Sequence, residues 1–323
     1  MQKRTLGRTG LSVSEIGFGS WGIGRSLWVG AEDSESLRAL NRAVDLGLNF
    51  IDTALGYGEG HSERLVGQIV RSRPETIYVS TKVPPKNREW PARDGVPATE
   101  TFPADYIVSR TESSLKNLGL DRIDIQQLHV WSDQWVGQGD WVEAIEKLKR
   151  EGKIRFFGIS INDHQPENAI QLVESGLVDT VQVIYNIFDQ TPEERLFEAV
   201  QKHNVGVIVR VPFDEGGLTG KITPQTTFPE GDFRNRYFRG DRPSQVFERV
   251  NAIQEDLGIK SEEVAETALR FVLNHPAVST VIPGMRSVDH AEKNCRVSDG
   301  KGLSTSSVEK LRAHRWDRNF YTL

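Results

Sequence analysis

Cysteine is almost missing from this chain: Cys295 stands alone among 323 residues. One thiol cannot close an internal disulfide, and such scarcity fits a reducing compartment. No apolar run approaches the ~20 residues that span a bilayer, and the first residues lack the basic-then-apolar order of a secretory signal. Nor is there a surplus of positive charge. Lys and Arg number 40 against 45 Asp and Glu, a net charge of −5, which removes the electrostatic footprint of a nucleic-acid or anionic-membrane binder. Internal repeats and low-complexity tracts are absent as well. These absences predict a cytoplasmic protein with small-molecule rather than polymeric partners; the sequence is silent on oligomeric state.

What the chain does have is a rhythm. Residues 2–15, with Gly7-Arg8-Thr9-Gly10 between two short β-forming runs, predict a hairpin. From residue 16 onward strands alternate with helices. Strands are predicted at 16–19, 48–52, 76–82, 123–129, 154–160, 180–185, 205–211 and 279–282. Helices are predicted at 33–45, 62–73, 103–118, 139–150, 165–175, 192–203, 244–257, 261–274 and 288–295, with long loops at 84–102 and 212–242. Strands such as Val-Gly-Val-Ile-Val at 205–209 are apolar without alternation, the pattern of parallel strands buried on both faces. Eight strand–helix units predict an α/β fold closed into a (β/α)8 TIM barrel, with the hairpin at one end and long loops on the C-terminal face. An open doubly wound sheet accommodates the same alternation. The whole chain, residues 1–323, reads as one domain, since barrels of this kind reach this length.

Gly17-x-Gly19-x-x-Gly22 spells the dinucleotide fingerprint. A Rossmann turn opens directly into a helix, but here Gly24, Trp28 and Gly30 intervene before helix signals begin at Asp33. The glycines are better taken as a loop after the first barrel strand.

In a barrel, chemistry collects where strands end and loops begin. The strand ends supply Gly19, Asp52, Lys82, His129, Ser160, Gln182, Arg210 and Gly284. Asp52, Lys82 and His129 close three consecutive strands, and Tyr57 sits five residues after Asp52 among Gly56, Gly58 and Gly60. Singly, each has an ordinary structural explanation; together they form a proton donor to a carbonyl oxygen. A phenol of pKa about 10 is a weak acid at neutral pH. An ammonium beside it favours the phenolate, and a carboxylate keeps that ammonium charged and in place. His129 would hydrogen-bond the oxygen as charge develops there. None of these groups supplies electrons, so a reduction would need a cofactor.

Asp-Thr-Ala-Leu-Gly-Tyr-Gly-Glu-Gly-His-Ser-Glu-Arg-Leu-Val-Gly at 52–67 resembles the signature of the aldo-keto reductase superfamily. The likeness continues in GFGSWG at 17–22, STKV around Lys82, QQLH ending at His129, GIS at 158–160, VQVIYN at 181–186 and VIPGMRS at 281–287. The resemblance implies a barrel that binds NADPH extended, without a Rossmann fold, and an active-site tetrad of Asp52, Tyr57, Lys82 and His129. It implies NADPH-dependent reduction of an aldehyde or ketone to an alcohol, with no metal. Among cofactor contacts it implies Gly19 and Trp21 on the first loop, and Ser160 and Gln182 at the nicotinamide carboxamide. Pro212, Phe213, Leu218, Gly220 and Lys221 would cover the pyrophosphate. Gly284, Met285, Arg286, His290 and Asn294 would hold the adenosine half, Arg286 near the 2′-phosphate and Lys293 a weaker candidate there.

Two positions depart from the family pattern. Ser160-Ile161-Asn162 separates a Ser-Asn pair that many relatives keep adjacent, and Arg210 stands where many relatives carry an aromatic stacked on the nicotinamide. A guanidinium is flat enough to stack there. Trp21, Trp28, Trp90, Trp131 and Trp135, with Phe320 and Tyr321 in the tail, are candidates to wall an apolar substrate pocket, or to plug the long loops. Arg88 and Arg93 would meet an anionic substrate or simply face solvent. Two further readings stay open: a cofactor-binding regulatory subunit with little turnover, and a lyase with Lys82 as a Schiff-base nucleophile.

Overall fold

The computed structural model describes residues 1–319, so Phe320 and Tyr321 lie outside the described residues. Strands β1 (Lys3–Thr5) and β2 (Ser12–Ser14) pair antiparallel as the hairpin. Eight parallel strands follow: β3 (Phe18–Gly19), β4 (Phe50–Asp52), β5 (Tyr78–Val83), β6 (Ile123–Leu128), β7 (Ile154–Ser160), β8 (Thr180–Ile184), β9 (Gly206–Arg210) and β10 (Thr280–Val281). They neighbour one another in chain order from β3 to β10. Bridges from Ile16 to Val281 and from Gly19 to Gly284 join the first strand to the last. Gly17 N donates to Val281 O at 2.8 Å and Val281 N to Glu15 O at 2.9 Å across that seam. The closed alternative, not the open sheet, is what the chain adopts.

The interior is layered, and the layers place the site. At the base, Leu6, Leu11 and Val13 from the hairpin pack under Phe50, Ile125, Ile208 and Ile282. Above this apolar plug, Ser80, Gln127, Thr180 and Gln182 are buried. Asp52 and Lys82 come next, at the C-terminal strand ends. Outside, the helices bury one stripe each: Asp33–Asp45 turns Ser36, Ala39, Leu40, Ala43 and Val44 inward at helical spacing.

Several boundaries differ from expectation, each for a local reason. The helix expected at 165–175 begins only at Ile170, because Pro166 disfavours helical backbone at Gln165 and Asp133 accepts from Gln171 N and Leu172 N at the helix start. The helix expected at 192–203 is a 3-10 turn, Thr191–Glu193, and a shorter helix, Leu196–Lys202. Short helices at Ala98–Thr101 and Arg234–Tyr237 interrupt the two long loops, and Thr305–Arg312 adds a helix with no sequence expectation behind it. Trp131 and Trp135 are fully buried and meet Trp141 and Phe102 edge to face, at centroid distances of 5.2 to 5.8 Å. They plug the loop after β6 and do not wall a pocket.

Candidate active site

Asp52 ends β4 and Lys82 lies one residue before the end of β5, both essentially inaccessible to solvent. A buried charge survives only with a partner. Lys82 Nζ donates to Asp52 Oδ2 at 2.5 Å, to Thr53 O at 2.8 Å and to the Tyr57 hydroxyl at 3.4 Å. The other carboxylate oxygen, Oδ1, accepts from Gln182 Nε2 at 2.8 Å and Gln127 Nε2 at 3.3 Å. Burial lowers the Lys82 ammonium pKa while Asp52 opposes that fall.

Tyr57 hangs in a glycine-rich turn that something must hold, and the first loop does so. Gly24 and Gly58 touch backbone to backbone: a Cβ on Gly58 (φ +65°) would lie 1.8 Å from Gly24 O, and one on Gly24 would lie 2.9 Å from Tyr57 C. Trp21 stacks beside the phenol at 6.2 Å. Burial, and then the Asp52 charge, push the Tyr57 pKa well above 10, so the hydroxyl keeps its proton. His129 lies edge-on to Tyr57 at 5.7 Å and to Trp90 at 4.4 Å. Burial, then Lys82 and Arg210, hold its pKa well below 6.5, so the ring is neutral.

Asp52, Tyr57, Trp90 and His129 line a cavity of about 2330 Å³, while Lys82 is buried behind that wall. Of the residues named from the sequence for a cofactor, Gly19, Trp21, Ser160, Gln182, Arg210, Pro212, Phe213, Lys221, Gly284, Arg286, His290 and Asn294 line it. Leu218 and Met285 do not; both are core residues with no exposure. Gly220 is also off the wall, packed so closely on Ser261 that a Cβ would lie 2.3 Å from its carbonyl oxygen. Arg286 crosses Gly22, where a Cβ would lie 2.9 Å from its Cδ, and Arg286 Nη1 donates to Val29 O at 3.1 Å. Lys221, Arg286 and Lys293 each lower the pKa of His290, after burial, which marks one basic cluster at this stretch of wall.

Asn162 is committed elsewhere: its amide exchanges bonds with Ala92 N and O, both at 3.1 Å, and tethers the loop after β5. Arg210 Nη2 donates to Ile161 O at 2.9 Å and also bonds Asp163. Of the five tryptophans, Trp21, Trp28 and Trp90 line the cavity, as does Arg88 but not Arg93. Sequence reasoning missed Glu215, Phe233 and Arg234, which also line it. All three sit in the loop expected at 212–242, where no periodicity signals which side chains turn inward. Gln127 was missed too, although the doubled glutamine of a buried strand is a visible anomaly.

An eight-stranded barrel with a lysine–carboxylate pair and a phenol at its C-terminal mouth defines a class. Residues 15–315 match the Aldo/keto reductase family, and the chain belongs to that family of oxidoreductases. Among its relatives is an uncharacterised oxidoreductase of Bacillus subtilis, 30% identical over 97% of this chain and 96% of that protein. An aldo-keto reductase of Bacillus halodurans in its holo form is similar in structure, with a TM-score of 0.75 and 28% identity, covering 98% of this chain and 96% of that one. An aldo/keto reductase of Klebsiella pneumoniae, solved in complex with NADP and acetate, gives a TM-score of 0.70 at 26% identity over 99% and 98% of the two chains. No helix among the described residues is long and apolar enough to cross a membrane.

Proposed function

We propose that residues 1–323 act as one aldo-keto reductase domain that reduces an aldehyde or ketone to an alcohol with NADPH, Tyr57 giving the proton. The observation that carries this reading is the contact of buried Lys82 Nζ with both Asp52 and the Tyr57 hydroxyl, two groups that line a large cavity. The donor set suits the cofactor: Lys221 and Arg286 on this stretch of wall match a 2′-phosphate, with His290 beside them as a neutral hydrogen-bonding ring, and a guanidinium can grip a phosphate with two hydrogen bonds. The NADP-bound relative supports the same assignment. When bound, NADPH supplies the hydride that goes to the carbonyl carbon.

This chain's own residues do the rest. Ser160 and the carbonyl oxygen of Gln182, whose amide nitrogen is taken by Asp52, would hold the nicotinamide carboxamide. Arg210, pinned by Ile161 O, would stack its flat guanidinium on the nicotinamide ring. Tyr57, protonated at rest, gives its proton to the carbonyl oxygen as negative charge builds there. Lys82 stabilises the phenolate left behind, and Asp52 holds Lys82 in place. Neutral His129 orients the carbonyl by hydrogen bonding. Trp21, Trp28 and Trp90 exclude water around the reacting carbon.

The test is NADPH consumption across a panel of aldehydes and ketones, including benzaldehyde, glyceraldehyde and methylglyoxal, with Tyr57→Phe alongside. Turnover by the wild type and its loss in Tyr57→Phe, with NADPH binding retained, supports the reading. Equal turnover in the two proteins rejects it.

A further inference from the structure

We infer that Gln127 is a positioning residue that holds the Asp52 carboxylate ionised against Lys82, anchored in turn by Ser80, so that the barrel interior beneath the site sets the acidity of Tyr57. The inference rests on the reductase reading and extends it inward.

The geometry begins with register. Gln127 on β6 pairs in register with Lys82 on β5 and with Gly158 on β7. Gly158 makes the room. A Cβ there would lie 3.1 Å from Gln127 Cγ and 2.3 Å from Thr180 Oγ1, so a side chain at that position would crowd the glutamine. Gln127 then reaches Asp52 Oδ1 at 3.3 Å and Ser80 Oγ at 2.5 Å through the same nitrogen, while Gln182 meets Oδ1 from the far side at 2.8 Å. Below Ser80 begins the apolar plug of Phe50, Ile125 and Ile208. These two amides are the hydrogen-bond donors to Oδ1 among the described residues.

A purely packing role accounts poorly for a glutamine here. Its side chain is fully buried, and its carbonyl oxygen Oε1 accepts no hydrogen bond among the described residues. A buried polar atom left unpaired costs about 1–3 kcal/mol. Leucine would fill similar space without that penalty. The amide nitrogen is the part with a task.

Hydrogen bonds donated to a carboxylate favour its charged form. In a buried ammonium–carboxylate pair the competing state moves one proton from Lys82 to Asp52, leaving two neutral groups. Loss of the Gln127 donor tilts the pair toward that state. The carboxylate charge that raises the phenol pKa goes too, but the ammonium is the group in contact with the Tyr57 hydroxyl, at 3.4 Å, so losing it removes the phenolate's direct partner and makes the phenol a weaker acid. The charged and titratable groups facing the pair are Tyr57, His129, Arg210 and Glu63. Gln127 bonds none of them.

The experiment compares the pH dependence of kcat for wild type, Gln127→Leu, Ser80→Ala and Tyr57→Phe with the panel aldehyde that the wild type reduces fastest, together with NADPH Kd. Proton donation by a phenol fails as pH rises through its apparent pKa, so kcat has a descending alkaline limb. Gln127→Leu is expected to lower kcat about tenfold and to move that limb upward by about one pH unit, with NADPH Kd unchanged. Ser80→Ala, which loosens the anchor only, is expected to shift the limb in the same direction by less, and it decides the matter if Gln127→Leu does not fold. An alkaline limb in the wild-type position in the folded variants overturns the inference while leaving the reductase reading intact. Wild-type turnover in Tyr57→Phe would instead overturn both.

Discussion

Two buried clusters in this protein combine the same three chemical groups, a carboxylate, a cation and a phenol. In one, Lys82 bonds Asp52 and reaches the Tyr57 hydroxyl. In the other, Arg242 Nη2 meets both oxygens of Asp214 at 3.0 Å and the Tyr237 hydroxyl at 3.0 Å, while that hydroxyl donates to Asp214. In both, burial pushes the phenol well above its ordinary pKa. What separates them is where the phenolic proton points. Tyr237 spends its proton on a carboxylate, inside a shell formed by Phe238 and Trp316, and its cation is a guanidinium, which only donates. Tyr57 accepts from Lys82 and donates to no described residue, and it borders the cavity. The first arrangement is a clamp, fastening the loop after β9 to the helix Arg242–Leu257. The second leaves a proton free to leave. Composition alone would not tell them apart.

The comparison breaks if the phenols exchange phenotypes. Removing the hydroxyl in Tyr57→Phe is expected to cut kcat by about 10²–10⁴-fold, the usual span of acid–base catalysis, with thermal stability near wild type. Tyr237→Phe is expected to do the reverse. It loses a hydrogen bond to a charged group, about 1.5–3 kcal/mol of unfolding free energy, measurable by urea titration, with turnover nearly unchanged. A Tyr237→Phe protein that is stable but inactive would erase the distinction drawn above.

Two smaller effects sharpen it. Arg286→Ala, at the basic stretch of wall, is expected to raise NADPH Kd about tenfold or more with little change in kcat, as loss of a charge-assisted bond implies; equal Kd in the two proteins refutes the assignment. Glu215 sits between the clusters on a strained backbone (φ +55°), and burial with Asp163 and Asp214 nearby raises its pKa from 4.5 to about 8. Between those values the folded protein holds a proton that the unfolded chain has released. Stability therefore declines as pH rises from about 4.5 to about 8. Glu215→Gln is expected to flatten that decline, checked by melting temperatures across the range.

Much of this was visible before any coordinates. Apolar, non-alternating strands such as residues 205–209 and the regular strand–helix spacing pointed to the barrel, because parallel strands covered on both faces favour that composition. Asp52, Lys82 and His129 were legible as strand ends, and Tyr57 as an aromatic stranded among glycines. Loops were harder. Trp131 and Trp90 look alike in sequence, yet one is buried against Trp141 and the other stands against His129. Met285 and Leu218 belong to motifs that touch the cavity but turn into the core instead. In a loop the direction of a side chain follows from long-range packing, and no short period records it.

The amino-acid sequence alone determined the alternation of strands and helices and the inventory of reactive groups, since those depend on local propensity and on period; that the sheet closes rather than staying open was decided by the seam between the first and last strands. Only the tertiary structure decided which phenol keeps a proton to give, which arginine seals a core and which edges a cavity, and that two glutamines hold the carboxylate from beneath. Those outcomes depend on distances between residues as far apart as Asp52 and Gln182, which come together only when the barrel closes.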